Sequence, residues 1–170
     1  TRYGSSKKSL FKDKPTQSVD FETFETKEEF DTNKSKNRMF LPAKYIMITG
    51  DKKLSPRNEF EVKMSTNEDN VNGEKVKVII MSKTGSEGLD FKNIRQIHIL
   101  EPWYNMNRID QIVGRGVRNN SHCKLPFKKR TVEIFLHGSE LTDNEKEPID
   151  LYMYRLAEYK AIQIGKINRL

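Results

Sequence analysis

Two short apolar runs, parted by a polar loop that contains glycine, constrain the fold of this chain more than anything else in it. Residues 76–81 (Val-Lys-Val-Ile-Ile-Met) and 94–100 (Ile-Arg-Gln-Ile-His-Ile-Leu) are rich in β-branched side chains and too short for helices. Both read as buried strands. Between them, residues 82–90 (Ser-Lys-Thr-Gly-Ser-Glu-Gly-Leu-Asp) are small and polar and end in a carboxylate. Glu101 and Pro102 stop the second run, because proline cannot continue a central ladder. A helix is expected from Asn107, a good N-cap residue. Strand, polar loop, strand and helix in this order predict a parallel α/β sheet with ligand-facing loops at the carboxyl ends of its strands. That arrangement places residues 82–90 and 111–118 on one edge.

The helix itself segregates by chemistry. At about 100° per residue, Arg108, Gln111, Arg115 and Arg118 share one sector, and Ile109, Ile112, Val113 and Val117 lie opposite. The first face can hold an anion; it is also what an ordinary solvated helix face looks like. Gly114 and Gly116 should each cost about 1 kcal/mol relative to alanine inside a helix, so close approach of another backbone or a ligand is expected there.

Residues 82–90 resemble motif V, and residues 111–118 (Gln-Ile-Val-Gly-Arg-Gly-Val-Arg) resemble motif VI, of the second RecA-like domain of superfamily 2 helicases. The intervening residues 98–103 (His-Ile-Leu-Glu-Pro-Trp) and the following Asn119, Asn120, Ser121, His122, Leu125 and Pro126 are similar to the helicase-like ATPases of nucleocytoplasmic large DNA viruses. The resemblance covers residues 45–136 well and the remainder weakly. It implies a RecA-like α/β lobe, a parallel sheet flanked by helices.

By this resemblance Arg115 and Arg118 match the motif VI arginines that reach across an interdomain cleft to the γ-phosphate of ATP. A guanidinium stays charged and pairs two donors with phosphate oxygens, which suits an arginine finger. Gln111 matches the motif's leading polar residue and can both donate and accept. Gly88 and Asp90 match motif V positions at the nucleotide, Asp90 near the ribose; without the resemblance, a cap is as good a role for Asp90. Ser82, Lys83, Thr84 and Gly85 match positions on the nucleic-acid backbone, where small residues let phosphate approach main-chain donors. Residues 44–50 (Lys-Tyr-Ile-Met-Ile-Thr-Gly) read as a further apolar strand ending at a glycine turn. The resemblance adds Thr49, Gly50, Ser55 and Arg57 to the nucleic-acid side, although a solvated loop accounts for Ser55 or Arg57 taken singly.

A phosphate loop of the form Gly-x-x-x-x-Gly-Lys-Ser/Thr does not occur, nor does an acidic magnesium motif at a strand end. In the family both belong to the first RecA-like lobe, so ATP and Mg2+ are expected to be held mainly there, with DNA or RNA and that N-terminal lobe as partners. The isolated chain is expected to be inactive. The strand that carries motif IV is also missing, which reads as a chain cut inside the domain. Viral transcription machinery is a further partner the resemblance implies, and host cytoplasm, viral factory or virion the location. The alternative is a RecA-like lobe that binds nucleic acid as a scaffold or regulatory subunit without catalysis.

Charge and composition fit a nucleic-acid partner: 31 basic against 24 acidic residues give a net charge of +7. No apolar run is long enough for a membrane span and no signal peptide is visible, so no membrane partner is expected. The lone Cys123 excludes an internal disulfide and suits a reducing compartment; the scattered His98, His122 and His137 predict no metal site. Residues 1–42 are polar, with Phe11, Phe21, Phe24 and Phe30 as isolated apolar points, and read as a flexible insertion or linker ahead of a domain over 43–170. The phenylalanines could instead dock on that domain or on a partner. Residues 128–136 read as a basic loop and a strand, and 148–164 as a closing helix. Lys124, Lys128, Lys129 and Arg130 are candidate nucleic-acid contacts or simply a solvated loop.

Overall fold

The computed structural model describes residues 18–33, 38–83, 88–141 and 147–169. The chain divides between Leu89 and Asp90 into two compact units. Both are α/β: each contains one pair of parallel strands with helices around it.

In the first unit, β1 (Tyr45–Ile48) and β2 (Val78–Met81) pair in parallel, Tyr45 opposite Val78 through Ile48 opposite Met81. Parallel pairing requires a crossover, and α2 (Asn58–Ser65), which packs on β1, lies within it. Ile46, Met47 and Ile48 are buried on both faces of the ribbon, as expected for a parallel strand. β2 differs from the expectation of a buried strand, because Val78 and Ile80 are exposed on one face. Asn70 fixes the return from α2: its side-chain NH2 donates to the Ser65 and Val76 carbonyls, and its oxygen accepts from the Lys75 and Val76 amides at 2.9 and 2.8 Å.

The described part of residues 1–42 packs within this unit. Its centre is Asp20, fully buried. The carboxylate accepts two hydrogen bonds from the Arg38 guanidinium, at 2.9 and 2.5 Å, and others from the amides of Glu22, Thr23 and Leu41. Arg38 in turn lies over the rings of Phe21 and Phe30, at 5.3 and 5.0 Å from their centroids. Two of the phenylalanines that looked isolated, Phe21 and Phe30, are therefore collected around one charged pair and buried, whereas Phe24 is exposed and Phe11 lies outside the described residues. α1 (Lys27–Thr32) follows, started by a reciprocal capping box between Thr26 and Glu29. The Ala43 amide donates to the Val19 carbonyl at 2.7 Å, across the boundary expected at residue 42.

In the second unit, β3 (Gln96–Ile99) and β4 (Glu133–Leu136) pair in parallel, Gln96 opposite Glu133. α3 (Met106–Gly116) packs on β3 and on α4 (Ile149–Ile167), the closing helix, which has Pro148 at its N-cap. Phe91, Ile99, Ile109, Leu125 and Ala157 form the buried core. The end of β4 is tied to α4 twice. Ser139 donates through its amide and its hydroxyl to Asp150 at 2.8 and 2.7 Å, and the Tyr154 hydroxyl donates to the His137 carbonyl. None of the described helices is long and apolar enough to cross a membrane.

Arg38 holds the Asp20 carboxyl far below the usual carboxylate range, and three backbone amides assist against the opposing effect of burial. A folded-state pKa below the unfolded value of about 3.9 contributes stability that is complete above pH ~4 and lost progressively as pH falls further. The Asp20→Asn variant should therefore melt several degrees below wild type at pH 7, and the gap should narrow as melting is repeated toward pH 2. A gap of constant size across that range would contradict the assignment.

Candidate functional site

Helix α3 ends earlier than its sequence pattern suggests. It begins after Asn105, whose side chain makes no capping hydrogen bond, and closes at Gly116, with Val117 as C-cap. Val117 is 46% exposed and not part of the packed face, and Arg118 stands past the helix rather than on it. The helix stops here because the chain turns. The Ser121 amide donates to the Arg118 carbonyl at 3.0 Å, and Asn120 adopts φ 62°, a left-handed conformation that asparagine tolerates better than most residues.

Two glycines interrupt the helix, and they behave differently. A methyl group added at Gly116 would meet Ile97 Cδ1 at 3.0 Å and Ile94 Cγ2 at 3.3 Å, so the close approach expected there is to the side chains around β3. At Gly114 nothing lies within 4 Å. The close seat of Gly116 lets the Phe91 amide reach the Arg115 carbonyl at 3.3 Å, and Phe91 is buried beneath. Asp90, one residue earlier, consequently lies beside Arg118: its carboxylate accepts from the guanidinium at 2.7 Å. Both side chains of this pair are more than half exposed, and an exposed pair of this kind contributes only about 0–1 kcal/mol. It holds Arg118 in place while leaving it easy to exchange for another anion.

Arg115 is half-buried and Gln111 exposed, one helical turn apart. Arg108, expected on the same anion face, instead covers the Trp103 ring, 4.1 Å from its centroid. That cation–π contact fixes the loop after β3 and takes Arg108 out of the candidate set. The turn after Arg118 is anchored by two residues that sequence reasoning did not single out for this role. The His122 Nε2 donates to the Ile94 carbonyl at 2.6 Å, its Nδ1 faces the Ser121 hydroxyl at 2.7 Å, and the Asn93 amide donates to the Ser121 carbonyl. The Ser-His pair that follows the arginine motif was the available signal. Among the described residues, no group of three His, Cys, Asp or Glu side chains is placed to hold a metal ion.

In the first unit, Thr49 and Ser55 are brought together, but by each other. Ser55 is buried; its hydroxyl accepts from the Thr49 amide at 2.9 Å and lies 2.8 Å from the Thr49 hydroxyl. Ser55 thus shapes the turn after β1 and presents no hydroxyl to a ligand in this structure. Gly50 and Arg57 are exposed on either side of it, with Arg57 at the N-cap of α2. The Ser82 amide donates to the Ile48 carbonyl, extending the ladder one step beyond β2, and Lys83 is exposed. Gly88 is exposed at φ 73°, a conformation that favours glycine. Thr84 and Gly85 lie outside the described residues.

The family described as "Helicase conserved C-terminal domain" matches residues 9–120, about two thirds of the chain. The chain belongs to that family, and its parallel α/β construction is that of a RecA-like lobe. It is 42% identical over 94 residues to the "Termination factor NPH-I homolog" of African swine fever virus, covering 55% of this chain and 13% of that protein. A protein of Acanthamoeba polyphaga mimivirus provisionally named an ATP-dependent RNA helicase is 35% identical over 116 residues, covering 64% and 14%. A provisionally named helicase of invertebrate iridescent virus 3 is 32% identical over 129 residues, covering 74% and 13%. The chain therefore spans about one seventh of these relatives, all of them from large DNA viruses.

The glycine geometry predicts an asymmetry. Gly114→Ala should be neutral or stabilising by up to about 1 kcal/mol, because it restores helix propensity at no steric cost. Gly116→Ala should be less stable than Gly114→Ala by about 1 kcal/mol or more, since Ile94 and Ile97 must give way. Urea unfolding of the two variants checks this, and equal midpoints would show that Gly116 is not a packing position.

Proposed function

We propose that this chain is the C-terminal lobe of a nucleic-acid-dependent ATPase, a helicase or translocase of large DNA viruses. In this reading it works on ATP held mainly by an N-terminal lobe that carries the phosphate loop and the Mg2+ ligands. The observation that carries the reading is the exposed Arg118–Asp90 pair at the end of α3, with Arg115 one turn before it. A weak carboxylate partner keeps the Arg118 guanidinium extended and aligned without burying it, as a finger awaiting a phosphate requires. Developing charge on a transferring phosphoryl group is then met by donors already in position, which lowers the barrier without reorganisation at the moment of reaction.

The donor set fits a nucleotide. Arg115 and Arg118 supply guanidinium groups for the γ-phosphate, Gln111 a side chain able to relay between sites, and Asp90, freed from Arg118, an acceptor for a ribose hydroxyl. Mg2+ falls to the phosphates and the other lobe. Ser82, Lys83, Thr84 and Gly85 with Thr49, Gly50 and Arg57 form the nucleic-acid side of the proposal, Ser55 acting through Thr49. The word "termination" in the African swine fever virus relative's name favours a role in viral transcription. A scaffold without catalysis would need neither arginine.

The test joins this chain to its natural N-terminal lobe and measures nucleic-acid-stimulated ATP hydrolysis. Arg118→Ala should lower turnover by about 10³-fold or more while nucleic-acid affinity changes little. The chain alone should hydrolyse no ATP. Unchanged turnover in the variant sinks the finger assignment, and hydrolysis by the clean isolated chain sinks the split site.

A further inference from the structure

From Gln111 to Val132 the chain carries no acidic residue and six cations, Arg115, Arg118, Lys124, Lys128, Lys129 and Arg130. The last four flank Phe127 along the chain, and Phe127 is 85% exposed and among the most exposed large apolar side chains described. An isolated exposed phenylalanine needs no explanation by itself. This one is held on a built support. Leu125 is buried, and its amide donates to the His122 carbonyl. Pro126 starts a single 3-10 turn over Phe127–Lys129, closed by the Lys129 amide on the Pro126 carbonyl at 2.8 Å and the Arg130 amide on the Phe127 carbonyl at 3.0 Å. Arg130 then folds back, donating through Nε to the Leu125 carbonyl at 2.8 Å and through a terminal nitrogen to the Cys123 carbonyl at 2.9 Å.

Arg130 is thereby spent on fixing the knuckle, whereas Lys128 and Lys129, the next two residues after Phe127, are exposed. The segment also lies beyond residues 9–120, outside the part matched by the family. We infer that the Phe127 knuckle is a contact for single-stranded nucleic acid, in which the ring stacks on a base and Lys128 and Lys129 neutralise the phosphates flanking it. The combination of an aromatic face with adjacent lysines on an acid-free stretch matches the chemistry of a single strand, which offers unpaired bases and a dense line of negative charge. A duplex keeps its bases stacked and offers the ring nothing. An acidic protein surface would use the lysines but leave the ring in water.

This inference rests on the nucleic-acid part of the reading above and needs no ATP. Binding of the 170-residue chain to fluorescent oligo(dT) and oligo(rU), and to a duplex of equal length, is followed by anisotropy over a salt series. Phe127→Ala should weaken single-strand binding about tenfold with an unchanged salt slope, leave duplex binding near wild type, and be rescued by Phe127→Trp. Lys128→Gln with Lys129→Gln should lower the slope of log affinity against log salt by about 1.4, the contribution of two phosphates on a single strand. Thermal melting checks that each variant is folded. A wild-type chain that binds no single strand sinks both readings. Wild-type binding that Phe127→Ala leaves intact, or weakens equally on duplex, sinks this inference alone, as does a ring needed only for binding to anionic vesicles or to an acidic polypeptide.

Discussion

The close seat of Gly116 on Ile94 and Ile97 is the constraint from which the arrangement of the second unit follows. With no side chain there, the end of α3 comes near enough for the Phe91 amide to bond the Arg115 carbonyl. Phe91 is then buried, Asp90 emerges at the surface, and Arg118 meets it just past the helix end. The helix cannot run on through Arg118, because the turn closed by Ser121 and clamped by His122 to Ile94 pulls the chain back across β3. Two arginines that a uniform helix would set on one face are thus presented differently. Arg115 is on the helix, half-buried, and Arg118 is on the turn, exposed and loosely paired.

Weak pairing and strong pairing serve different ends in the two units. Asp20 is buried, accepts from five separate donor groups and holds Arg38 against two phenylalanine rings; breaking it leaves a charge with no solvent to receive it. Asp90 is exposed and accepts from Arg118 through one carboxylate oxygen, so solvent or a phosphate can replace it at little cost. The first pair is architecture and the second has the properties of a switchable contact. Ser55 belongs with the first kind: its hydroxyl is consumed in shaping the Thr49 turn.

The sequence made the element order legible, since β-branched runs and a strong 3.6-residue period mark β1, β2, β3 and α3 without help from tertiary context. Motif spacing singled out Asp90 and Arg118, which the structure pairs, together with Arg115 on α3. Three things were not legible. The end of α3 was hidden because Val117 and Arg118 keep the helical period while a left-handed Asn120 and a histidine clamp break the helix from outside it. The folding of the segment before β1 was hidden because it depends on one pair, Asp20 and Arg38, eighteen residues apart, and low hydrophobicity alone reads as disorder. Its Thr-x-x-Glu capping box at Thr26 and Glu29 was a local signal that pointed the right way. The exposure of β2 was hidden because an apolar run does not reveal which face is covered.

The central claim is that Arg118 exchanges Asp90 for a phosphoryl group offered by another lobe. The most direct measurement is the structure of this chain joined to its N-terminal lobe with nucleic acid, ADP and aluminium fluoride, the fluoride standing for the transferring phosphoryl. The account predicts that the Arg118 guanidinium leaves Asp90 and donates to the fluoride at hydrogen-bonding distance, about 3 Å. Arg118 still paired with Asp90, with neither it nor Arg115 touching the fluoride, would contradict it.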